Sequence, residues 1–227
     1  MTRFEYQEGL KMQIKRFIVG MLEANCYIIY QRYSRECYVI DPGSDHEKIA
    51  KFIRQEGLQL KAIILTHGHI DHFGGVKKLQ ELIPCPVYLN IADVHNYRFK
   101  IDGNLEDGQT LDLAGEKIKV LSTPGHTGGS VCFFSEKSGI AFTGDTIFDI
   151  DIGRMDLPGG STEDMRSSLL NVVNKWGNEI IIYPGHGDPS SMKRVREINH
   201  EFLEMIRELP AERDGHRNII RSTGDEI

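Results

Sequence analysis

Four side chains of metal-ligand type fall within six residues in the stretch Thr66-His67-Gly68-His69-Ile70-Asp71-His72. Imidazole nitrogen and carboxylate oxygen together suit zinc, iron or manganese, and the mixture argues against calcium, which takes oxygen alone. Positions 67, 69, 71 and 72 together fit neither the two-residue period of a strand nor the 3.6-residue period of a helix cleanly, but a loop can fold them around ions. A single loop histidine is ordinarily a solvated surface group, but a ligand-dense run is rarely accidental. Three later fragments repeat one layout, an apolar run and then a turn that presents one ligand: PGHTGG with His126, TGDT with Asp145 and YPGHGD with His186. Glycines beside each ligand permit the positive φ and close backbone approach that a sharp turn needs.

The elements that must position these side chains alternate between short β-branched or aromatic runs and amphipathic segments, the pattern of an α/β layered protein. Strands are predicted over 14–19, 26–30, 37–40, 62–65, 87–89, 118–121, 131–134, 140–142 and 179–182, and helices over 46–56, 73–82, 162–176 and 192–209. In the first helix Ile49, Phe52 and Ile53 form an apolar stripe. The third has a Ser161 or Thr162 cap, with Glu163 and Asp164 in the first turn where the helix dipole favours negative charge. Residues 12–209 are expected to form one domain, with 1–11 an N-terminal extension and 210–227 a polar tail.

A net charge of −6 and a pI near 5.9 disfavour nucleic acid and anionic lipid as partners. No run of eighteen uncharged apolar residues suggests a membrane span, and no apolar leader is evident. Cys26, Cys37, Cys85 and Cys132 are scattered without a CxxC pair, which fits free thiols in a reducing cytoplasm. The small basic segment 193–196 reads as a solvated helix face.

The order HxHxDH, PGHTGG, GD and PGH resembles the metallo-β-lactamase superfamily over nearly the whole span 12–209. That resemblance implies a four-layer αββα sandwich with metals at one edge between the sheets. It implies that His67, His69 and His126 hold a first divalent ion, that Asp71, His72 and His186 hold a second, and that Asp145 bridges them. Zinc is the expected metal, with iron or manganese as alternatives. Asp145 stands where familiar β-lactamases of this fold carry Cys or lack the bridge. The stretches GDTIF and IGRMDLPGG look like glyoxalase II, the hydroxyacylglutathione thioesterases, and their short bacterial relatives. In that likeness Arg154 is a substrate-binding residue for an acidic group. Full-length glyoxalase II has a C-terminal helical domain that makes most glutathione contacts, and only one long helix is predicted after His186.

Two ions roughly 3.5–4 Å apart share a water and bring its pKa toward about 7, which supplies hydroxide without a separate protein base. Asp145 would fix that spacing, and Asp71 could orient the hydroxide for attack on a small-molecule thioester or ester carbonyl. The rival is an iron-dependent persulfide dioxygenase, whose family shares HxHxDH and an element resembling Gly153-Arg154-Met155-Asp156-Leu157 but uses one iron. An ester or lactone hydrolase of the same superfamily is the further alternative. A structural site is disfavoured, because structural zinc is typically closed and Cys-rich.

Overall fold

A computed structural model describes residues 12–95, 97 and 100–207. The extension 1–11 and the tail 210–227 expected from the sequence lie outside the described residues. Two six-stranded sheets stack face to face. The first runs in spatial order β1 (Gln13–Val19), β2 (Ala24–Tyr30), β3 (Glu36–Ile40), β4 (Gln59–Ile64), β5 (Val87–Leu89) and β6 (Gly103–Asn104). The second runs from β12 (Ser190–Ser191) through β11 (Ile181–Pro184), β10 (Ile140–Gly144), β9 (Val131–Ser135) and β8 (Glu116–Ser122) to β7 (Thr110–Leu113).

Two-residue periodicity explains why both sheets are covered on both faces. On β2, Tyr27 and Ile29 point into the gap between the sheets and meet Val120, Phe133 and Phe142 of the second sheet. Cys26 and Ile28 point the other way, onto Ile49 and Ile53 of helix α1 (His46–Gln55) and Val76 and Leu79 of α3 (Val76–Leu82). On the far side Cys132, Ala141 and Ile182 pack under Met165 and Leu169 of α4 (Thr162–Asn171), Val195 of α5 (Met192–Ile198) and Phe202 of α6 (His200–Met205). The result is the αββα sandwich, with each fully buried large aliphatic side chain worth about 1.5–3 kcal/mol.

The structure departs from the expected elements where local geometry overrides pattern. The helix expected over 73–82 is split into α2 (Ile70–Phe73) and α3, because Gly74 and Gly75 press against the 42–44 loop. A Cβ on Gly74 would lie 2.7 Å from Gly43 O, and one on Gly75 would lie 2.6 Å from Pro42 O. The helix expected over 192–209 breaks at buried Asn199, whose extended backbone (φ −82°, ψ 92°) and side chain cap α6 by accepting from Phe202 N. Helix α4 ends at Asn171 and continues as a 3-10 turn, Val173–Lys175. The last long strand begins at Ile181, two residues later than expected, because Gly177–Ile180 closes a turn. Strands β6, β7 and β12 are too short or too polar to show a pattern in sequence.

Candidate metal centre

Strands β3 and β4 run parallel in one sheet, and β10 and β11 run parallel in the other. Strand β8 is antiparallel to β9, which is antiparallel to β10, so β8 shares the direction of β10. Turns leaving the C-terminal ends of these five strands carry Asp41, the 66–72 loop, His126, Asp145 and His186. A hydrogen bond from Val131 N to Thr66 O (2.9 Å) ties the two sheets together at that edge.

All seven residues singled out in the sequence converge there. His67, His69 and His126 form one group of donor atoms, and Asp71, His72 and His186 form another. His69 Nδ1 faces His126 Nε2 at 2.9 Å. Asp145 sits between the groups, with Oδ1 3.4 Å from His72 Nε2 and Oδ2 3.6 Å from His126 Nε2 and 3.7 Å from His186 Nε2. Asp71 Oδ2 is 3.2 Å from His186 Nε2 and 3.7 Å from His72 Nε2.

The second nitrogen of four imidazoles is occupied. His126 Nδ1 donates to Arg154 O (2.8 Å) and His186 Nδ1 to Leu22 O (3.1 Å). His72 Nδ1 lies 3.0 Å from Asp41 Oδ2. The Thr66 hydroxyl gives its hydrogen to the same Asp41 oxygen (2.6 Å), so it can only accept from His67 Nδ1 at 3.0 Å. Each ring therefore carries its proton on Nδ1 and turns an Nε2 lone pair inward, the form that ligates a cation. His67 Nε2, His72 Nε2 and Asp145 Oδ1 are buried without a protein partner. Orphaned buried acceptors are costly, and a divalent cation satisfies all of them at once. The residues fit two ions.

The surrounding charges act on the rings in opposite directions, keeping His67 neutral but favouring the protonated forms of His72 and His186 until a cation takes the place of that proton. Burial, reinforced by the neighbouring imidazoles of His72, His126 and His69, pushes His67 well below its ordinary value and keeps it neutral. Burial opposes the charge on His72, but Asp145 and Asp41 outweigh it and raise that ring. Burial likewise works against Asp71, yet the bond with His186 and the nearby His72 hold its carboxyl at about 2. Both Asp71 and Asp145 are therefore ionised in the neutral range, with Asp145 lowered by His72 and His126 against its own burial.

Two supporting carboxylates escaped the sequence reading. Asp41 is buried and accepts from Thr66 N (2.8 Å), the Thr66 hydroxyl and His72. Its signal was present, since it follows β3 in the same strand-then-turn layout as the other ligands. Buried Asp93 accepts from Gly68 N (2.7 Å), Thr127 Oγ1 (2.7 Å) and Gly129 N (2.9 Å), joining the 66–72 loop to the His126 turn. Nothing in its sequence neighbourhood marks it. Arg154 reaches the centre through its carbonyl, while its exposed guanidinium forms a two-pronged pair with Asp156 (2.7 Å for both bonds).

Fold and ligand pattern together define a metal-centred αββα protein. The family model described as the metallo-beta-lactamase superfamily matches residues 19–186, and the chain belongs to that superfamily. PksB of Bacillus subtilis, called a probable polyketide biosynthesis zinc-dependent hydrolase, is 34% identical over 163 residues, covering 71% of this chain and 72% of that protein. Among solved structures, the BLEG-1 B3 metallo-beta-lactamase is similar with a TM-score of 0.78 and 29% identity over 83% of this chain and 98% of that one. TTHA1623 in a di-iron-bound form has a TM-score of 0.74 and 29% identity, covering 82% and 98%.

The His186 turn is held by the β1–β2 hairpin of the opposite sheet. The Asn25 amide nitrogen donates to Pro184 O (2.9 Å) and Gly187 O (2.7 Å), and Asn25 N donates to Gly185 O (2.6 Å). Tyr27 Oη donates to Pro184 O as well (2.7 Å). Asn25→Ala removes the side-chain clasp without touching a donor to the metals. Loss of such support costs about 10–100-fold in metal affinity. Metal titration is expected to show weakened binding of the second ion and unchanged binding of the first; two equally tight ions would show that the clasp does not position His186.

Proposed function

We propose that this chain is a binuclear metallohydrolase acting on a thioester or ester, with machinery like that of the hydroxyacylglutathione thioesterases. The observation that carries this reading is the pair of three-donor groups sharing Asp145, with inward-facing orphan atoms. His67, His69 and His126 would hold one ion and Asp71, His72 and His186 the other, with Asp145 common to both. When bound, the two ions supply a hydroxide at neutral pH and Lewis-acid polarisation of the carbonyl.

The rest is done by protein groups. Asp71 stays ionised and sits at the mouth of the site, where its carboxylate can accept the hydrogen of the attacking group and hold its orientation. Asp41 and the carbonyls of Arg154 and Leu22 keep the imidazoles from rotating. Preorganisation of this kind lowers the barrier because no group has to reorient during the reaction. The zinc-dependent hydrolase named among the relatives supports zinc as the metal, and the di-iron-bound form of a similar structure supports a pair of ions.

Metal analysis of the purified protein, beside hydrolysis of lactoylglutathione and of a simple N-acetylcysteamine thioester, tests the reading. Two ions per chain and a thioesterase rate lost on chelation and restored by zinc are expected. One iron per chain with oxygen uptake on a persulfide would replace it by the dioxygenase reading, whose family carries an element that residues 153–157 resemble.

A further inference from the structure

A cleft of about 430 Å³ opens beside His186, between the 147–152 loop and the 186–188 turn. A smaller hollow of about 210 Å³ lies on the other side of the same turn, against the β1–β2 hairpin. The 147–152 loop is held in place. Asn199 donates to Phe148 O (3.2 Å) and Asp151 O (2.8 Å), Ser190 bonds Asp149, and Arg194 Nε reaches Asp149 at 3.0 Å. The cleft is thus preformed, and the Phe148 ring stands edge-on to the His186 ring at 6.4 Å.

Its lining sets the apolar side chains of Phe148 and Ile150 beside the carboxylates of Asp149, Asp151 and Asp188, and no lysine or arginine lines it. Ile150 on the cleft and Ile18 and Leu22 on the hollow are exposed, by 61%, 56% and 66%. Scattered exposed apolar residues are ordinary, but these three flank one turn, the one that carries His186. No lysine lines either hollow. The two nearby arginines are engaged, Arg16 with Asp188 (2.8 Å) and Arg194 with Asp149. Asp151, on the wall of the cleft, is exposed and has no basic partner among the described residues.

Resting on the hydrolase reading above, we infer that this cleft is the substrate subsite next to the reacting carbonyl and takes an apolar, uncharged group, so that anionic thiols such as glutathione are disfavoured there. Glutathione, with two carboxylates against one ammonium, would bring net negative charge to a wall that carries Asp149, Asp151 and Asp188 and no free lysine or arginine, whereas an aromatic or alkyl thiol would cover Phe148 and Ile150.

The test uses metal-loaded protein and one acyl group carried on benzyl mercaptan or on glutathione. The benzyl thioester is expected to show kcat/KM at least about tenfold higher, the scale of burying one aromatic ring. Ile150→Lys, a change at an exposed position, is expected to narrow that ratio severalfold with an unchanged circular dichroism spectrum. A glutathione thioester hydrolysed as well as the benzyl one, or a ratio indifferent to Ile150→Lys, would overturn the inference and leave the hydrolase standing. Calorimetric binding of the two free thiols separates the remaining case. If neither thioester is hydrolysed, the thioesterase reading fails, yet preferential binding of benzyl mercaptan that Ile150→Lys weakens still supports the apolar preference of the cleft, and equal binding removes it.

Discussion

Gly185→Ala is expected to lower turnover about 10²-fold in a protein that still folds. An added Cβ would lie 2.1 Å from Asp145 Oδ1 and 2.7 Å from His72 Cε1, far inside contact distance. The backbone cannot back away, because Gly185 N donates to Gly144 O (2.8 Å) and Gly185 O accepts from Asn25 N (2.6 Å). Asp145 and His72 must therefore move, and a displacement of about 1 Å among reacting groups costs two orders of magnitude. The stability cost of such overpacking is about 1–3 kcal/mol, well short of unfolding most domains. Gly128→Ala, where a Cβ meets nothing within 4 Å, serves as the control and is expected to be silent. Turnover, melting temperature and metal content of both variants decide the matter, and a Gly185→Ala enzyme with full turnover would show that the PGH glycine is not there to admit Asp145.

That glycine also shows where sequence reading succeeds and where it stops. The seven residues that converge at the candidate centre were legible because HxHxDH is dense and because each later one follows an apolar strand with glycine alongside, a layout that chance turns do not repeat. The helices and central strands were legible because their apolar periods are strong, as at Ile49 and Ile53 or Tyr27 and Ile29. Asp93 was not legible, since its three donors come from residues 25 to 36 positions away and no local pattern encodes that meeting. The break at Asn199 was hidden for a similar reason. The residue looks like any polar helix position until its amide is seen holding the carbonyls of Phe148 and Asp151, some fifty residues earlier. The Arg154 carbonyl was hidden in the same way, since its bond to His126 Nδ1 spans 28 residues.

Asp41→Asn is expected to weaken the second ion about 10–100-fold and to slow turnover in proportion, with little loss of stability. Asp41 receives three hydrogen bonds: Thr66 N to Oδ1 (2.8 Å), and the Thr66 hydroxyl (2.6 Å) and His72 Nδ1 (3.0 Å) to Oδ2. A backbone N–H cannot reverse its role, so the carbonyl oxygen of the new asparagine has to take the Oδ1 position. Its NH2 then replaces Oδ2 and faces His72 Nδ1. A hydroxyl can rotate to accept, but the imidazole can respond only by moving its proton to Nε2, the atom that faces Asp145 and Asp71. In that tautomer His72 presents a hydrogen where a cation needs a lone pair. Asp41→Ala acts otherwise: it strands three buried donors and is expected to cost about 2–5 kcal/mol, so it confounds tautomer with fold. The two variants can be told apart by urea unfolding together with titration of metal-free protein with zinc. A wild-type second affinity in Asp41→Asn would mean that the His72 tautomer is set by the metal itself, while a selective loss of the second ion in a protein of near wild-type stability assigns that control to Asp41.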